Sequence, residues 1–130
     1  MVQDRSEGLL ADFPLHHLAL RVREPEASLA FYAGILGLGV LKRDPRGQGP
    51  LRSAWLQMGD AVLMLERELR GRGETAGSGH VLAFAVQDLA KTEERLKEAG
   101  IGIEDRTAHT LYIRDPDGHR VALSAFRFER

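Results

Sequence analysis

From Leu15 the chain alternates between apolar and polar positions. His17, Ala19 and Arg21 fall on one side of an extended segment and Leu18, Leu20 and Val22 on the other, a period of two that predicts a strand with its aliphatic side on a core. Glu24 and Pro25 then start a helix, because proline is tolerated in the first turn and acids there oppose the positive end of the helix dipole. Leu29, Tyr32 and Leu36, with Ile35 beside them, form an apolar stripe at helical spacing, and Gly37 and Gly39 are expected to stop it by supplying positive φ. A short strand is expected at residues 40–42. The seven residues 44–50, DPRGQGP, admit no regular element. Two strands follow at 52–58 and 61–66, joined by a tight turn at Gly59-Asp60.

After a polar, glycine-rich stretch the pattern restarts. Residues 80–86 read as a strand, Asp88 as a helix N-cap, Leu89, Leu96 and Ala99 as the buried stripe, and Gly100 with Gly102 as the stop. Strands are expected at 101–104, 110–114 and 119–126, the last two hinged at the turn-forming DPDG. Each half therefore reads β-α-β-β-β, and this internal repeat organises the chain. The expected fold is α+β, with residues 1–13 a flexible arm and 14–128 a single domain of two repeats. The first βαβββ module spans 14–67, the second 80–128, and residues 68–79 link them.

Composition narrows the function. Eighteen basic and nineteen acidic residues are scattered to a net charge of −1, so there is no electrostatic footprint for a nucleic acid. The absence of cysteine excludes disulfides, thiolate metal sites and a cysteine nucleophile. No apolar run approaches the ~20 residues of a spanning helix, and the start of the chain lacks a signal-peptide pattern. The expectation is a cytoplasmic protein that engages neither membrane nor nucleic acid.

The segments HLALRV, EASLAFY with LGL, GDAVLML and LYIRDPDGHRVALS together resemble the vicinal oxygen chelate superfamily, which includes glyoxalase I, fosfomycin-resistance thiol transferases, bleomycin-resistance proteins and extradiol dioxygenases. The resemblance runs from Leu15 to Phe126. It implies two half-barrel modules and, in small members, a homodimer that builds each site from both subunits. It also implies that metal-dependent members ligate a divalent ion from four strand positions, which here carry His17, Met64, Val81 and Ala122. A thioether is a poor ligand for hard or borderline ions, and a catalytic divalent ion normally needs about three protein ligands. His17 is the only ligand position retained, so no cofactor is expected. His80 lies one residue out of phase with Val81, and only a bulge would turn it to the same face.

Strand parity puts further residues on the face of those four. Arg21 suits an anionic group and Glu66 shares its side, as do Tyr112 and Ser124. Tyr112 resembles a substrate-contacting position of the fosfomycin-resistance members. His17 is the one candidate for a general base or hydrogen-bonding catalytic group. The mostly apolar set His17, Arg21, Met64, Glu66, Val81, Tyr112, Ala122 and Ser124 suits a small organic molecule better than a bare ion. The expected function is metal-free sequestration of such a ligand at the module or dimer interface; the alternative is a metal-dependent lyase, isomerase or dioxygenase of the glyoxalase type.

Overall fold

Two four-stranded mixed sheets, each backed by a helix, make up the computed structural model, which describes residues 9, 15–71 and 79–129. Apart from residue 9, the expected arm lies outside the described residues, as do residues 72–78 of the expected linker. In the first module β1 (His17–Arg21) runs parallel to β4 (Ala61–Glu66), which pairs antiparallel with β3 (Ser53–Met58), itself paired with β2 (Val40–Asp44). The second module repeats this plan. Its strand β5 (Leu82–Ala85) runs parallel to β8 (Arg120–Ser124), followed across the sheet by β7 (Thr110–Arg114) and β6 (Asp105–Arg106).

The alternation in the sequence determines which face is covered. Leu20, Leu63, Leu65, Leu111, Ile113 and Val121 are all buried and, with Leu29, Tyr32 and Leu96 from the helices, form one continuous core shared by both modules. Removing apolar side chains from water on this scale is the main favourable term in the fold.

The first helix begins as α1 (Pro25–Leu29), with Pro25 in its opening turn, and continues as a wider π-helical stretch over Ala30–Ile35. Its end is marked by Leu36 N–H bonding to the Phe31 carbonyl, five residues back. Both Phe31 and Tyr32 are buried there. The second helix, α2 (Leu89–Glu98), is capped by the Asp88 carboxylate, which accepts the Lys91 N–H at 3.0 Å. Gly37 and Gly100 do adopt positive φ, 84° and 75°. Gly39 and Gly102 do not, since one left-handed residue is enough to reverse the chain after each helix.

One strand falls later than its apolar pattern suggests. Ile101 and Ile103 turn inward against the core, but ladder pairing with β7 begins with Glu104 N–H to the Tyr112 carbonyl and continues at Asp105–Arg106. Arg106 is held there by a two-pronged ion pair to Glu93 of α2 at 2.8 and 3.2 Å. Among the described residues no helix is long and apolar enough to cross a membrane.

Candidate functional site: the open sheet faces

Each sheet has one face on the core and one turned away from it. On the first sheet the second face carries His17 and Arg21 from β1, Met64 and Glu66 from β4, and Trp55 from β3. The register places Ala19 beside Met64 and Met64 beside Trp55. Trp55 thus belongs to the face of Met64 and Glu66, and its indole N–H donates to the Glu66 carboxylate at 3.2 Å. The Lys42 ammonium sits over the indole ring, 4.6 Å from its centre.

The second sheet repeats the relation. Ala83 is beside Ala122, and Ala122 is beside Tyr112. Val81 precedes Ala83 by two residues, as His17 precedes Ala19, so Val81 and Ala122 stand in the second module where His17 and Met64 stand in the first. Tyr112 likewise corresponds to Trp55. Its ring also carries a cation, the Arg120 guanidinium, 4.3 Å from the centre. Glu104 lies near that guanidinium and bonds Arg114, which holds the Glu104 carboxyl below the ordinary carboxylate range.

Val81, Ala83, Tyr112, Ala122 and Ser124 line an open hollow of about 590 Å³ on this second sheet. Thr110 and Ser124 bridge hydroxyl to hydroxyl at 2.7 Å along one side. Phe126, Arg127 and Phe128 close another side. The hollow brings together four of the residues expected at the site, Val81, Tyr112, Ala122 and Ser124, while His17, Arg21, Met64 and Glu66 stand on the other sheet.

His17 is exposed, and its Nδ1 lies 2.8 Å from the Nδ1 of His16, so one ring must carry a proton there and the other accept it. The Arg21 guanidinium donates to the carbonyls of Leu69 at 3.1 Å and Gly71 at 2.7 Å, tying down the chain that leaves β4. His80 packs on the ring of His119, 5.6 Å between centres, and the β5–β8 ladder runs without a register shift. His119 is itself buried, with Nε2 against the Arg21 carbonyl at 2.9 Å. Among the described residues no group of three or more histidines and carboxylates is gathered as a metal site would require. A set of one imidazole, one thioether and two hydrocarbon side chains does not fit a catalytic divalent ion.

The DPDGH segment performs a structural task. Asp115 accepts the backbone N–H groups of Asp117 and His119 at 2.9 and 2.8 Å and the Tyr32 hydroxyl at 2.7 Å. Asp117 accepts from the Arg23 backbone and side chain at 2.8 and 3.2 Å. The turn between β7 and β8 is thereby pinned to the start of the first helix, module to module.

The model of the glyoxalase/bleomycin resistance protein/dioxygenase superfamily matches residues 14–123. The chain belongs to this superfamily. A protein of Vibrio cholerae serotype O1 named "Probable lactoylglutathione lyase" is 30% identical over 121 residues, covering 82% of this chain and 86% of that protein. The glutathione transferase FosA of Serratia marcescens is 28% identical over 116 residues, covering 84% and 78%. The crystal structure of a glyoxalase/dioxygenase from Nostoc punctiforme superposes with a TM-score of 0.69 at 26% identity, over 95% of this chain and 96% of that one. The superfamily fold of paired βαβββ modules is the fold described above.

Three residues of these faces, Trp55, Phe126 and Phe128, were not among those expected at the site. Trp55 is brought to the face by its pairing with Met64, which the turn at Gly59-Asp60 determines. Phe126 and Phe128 continue the period of two from Ala122 and Ser124 past the end of β8.

Proposed function

We propose that this chain binds a small, largely apolar organic molecule without a metal ion, on the open faces of its sheets. The observation that carries the reading is the lining itself. Val81 and Ala122 form an apolar floor at two positions where metal-dependent relatives would place ligands, and the hollow they floor falls within the roughly 300–1,000 Å³ of ordinary ligand sites. Met64 occupies a third such position and adds a flexible, polarisable surface on the first sheet. We further infer a homodimer, in which the first-sheet face of one copy, with His17, Trp55 and Met64, closes over the second-sheet face of the other.

The test is native mass spectrometry of protein taken directly from cells. A bound organic species of a few hundred daltons should appear in the wild type and vanish in Ala83→Trp, which fills the hollow from an exposed position. An adduct that survives in Ala83→Trp would contradict the reading.

A second reading, a metal-dependent lyase, isomerase or dioxygenase, is supported by the names of the relatives and by the retained His17. It requires ligands beyond His17, and the donor set counts against it. In either case the chain's own residues supply an aromatic wall at Tyr112, hydroxyls at Thr110 and Ser124, and a cation at Arg127.

A further inference from the structure

The segment that follows β8 lies beyond the family match, which ends at residue 123, yet it borders the hollow. We propose that Phe126 and Phe128 are the ligand-selecting wall of this site and that its ligand is a flat aromatic acid, a proposal that rests on the small-molecule reading above. Both phenylalanines are large apolar residues left well open, 50% and 73% exposed, whereas Phe31 in the core is 3% exposed. The segment is nevertheless fixed. Ala125 N–H donates to the His109 carbonyl at 2.8 Å and Phe126 N–H to the Ser124 hydroxyl at 3.2 Å.

The two rings stand nearly perpendicular, 80° apart with centres 5.1 Å from each other, and Phe126 also meets the His109 ring at 5.9 Å. Such a pair presents one ring face and one ring edge, the two surfaces to which another aromatic ring binds favourably. The floor beside them is made of the exposed Ala83 and Val81, with Ala122 buried between β5 and β7, and these short side chains leave a low platform a planar molecule can cover. Tyr112 stands across that floor, with one side of its ring occupied by Arg120. Arg127 lines the same hollow and gives an acidic substituent a cation to approach. A saturated ring of equal size would meet the floor through axial hydrogens and gain nothing from the π surfaces.

The test is calorimetric titration of the full chain with two probes of equal charge and similar carbon skeleton, 2-naphthoate and decahydronaphthalene-2-carboxylate. The aromatic acid should bind the wild type at least about tenfold more tightly, the scale expected from one or two aromatic contacts. In the double variant Phe126→Leu/Phe128→Leu, which keeps apolar bulk, that preference should fall to about twofold or less with the melting temperature unchanged. Equal affinity of the wild type for the two acids would overturn the aromatic class while leaving small-molecule binding in place. No binding of 2-naphthoate would also overturn the proposal, as would an undiminished preference in the double variant. If the preference falls only together with a change in sedimentation, the phenylalanines serve contact between copies and the proposal fails. Ala83→Trp separates the two levels, because unchanged 2-naphthoate affinity in that variant contradicts the site itself.

Discussion

Tyr32 and Asp115 stand eighty-three residues apart in the chain and 2.7 Å apart in the fold, both buried. The hydroxyl donates to a carboxylate whose other oxygen already accepts two backbone N–H groups. Tyr32→Phe removes that donor and leaves a buried acceptor unmatched, so unfolding in urea should show a loss of about 1.5–3 kcal/mol. Burial, and next to it the negative charge of Asp115, push the Tyr32 hydroxyl well above its ordinary value. A group raised in this way contributes its full stability below the unfolded-state pKa of about 10 and loses it as pH climbs toward the folded value. Wild-type stability should therefore fall more steeply than that of Tyr32→Phe above about pH 10, by roughly 1.4 kcal/mol per unit. Tyr32 was legible as a core residue from its place on the helical stripe. Its partner was not, because a contact between distant residues leaves no periodic trace. For the same reason the sequence named Arg21 as a candidate for an anionic ligand but gave no sign that it clasps the carbonyls of Leu69 and Gly71.

At the scale of elements, local chemistry was read well where the signal is local. Asp88 caps α2 as its position before Leu89 suggested, and Asp88→Ala should lower stability by about 1 kcal/mol in chemical denaturation with the fold retained. A loss below about 0.3 kcal/mol would mean that the bond to Lys91 N–H is replaced by water at no cost. The strand faces were equally legible, since a period of two decides them and a one-residue slip would turn every side chain over. Three features were not. Within the π-helical stretch at Ala30–Ile35 both Phe31 and Tyr32 are buried, and helical spacing alone cannot distinguish it from an α-helix. The place of β6 at Asp105–Arg106 is a matter of its pairing with β7 and of the Arg106 contact to Glu93 of α2, which its own residues do not announce. The face of Trp55 depends on cross-strand register and is settled only by its pairing with Met64.

At the scale of the molecule, two repeats share one core and leave two open faces, one bearing His17, Trp55 and Met64 and the other Val81, Tyr112 and Ala122. The repeat itself was plain in the sequence because the order of signals recurs even where identities do not. The period of two was enough to assign His17, Arg21, Met64 and Glu66 to one sheet face and Tyr112, Ala122 and Ser124 to another, while the proposed closure of one face by another copy would be a matter of assembly that leaves no periodic trace in a single chain. Sedimentation at micromolar concentration should give a dimer, and a monomer would contradict closure of one face by another copy. The central claim is that this site works on an organic molecule with no metal ion. The most direct test is elemental analysis of protein purified without chelator, for the wild type and for His17→Ala. The expected result is divalent metal far below one ion per chain in both. Metal near one equivalent in the wild type that disappears in His17→Ala would contradict the account.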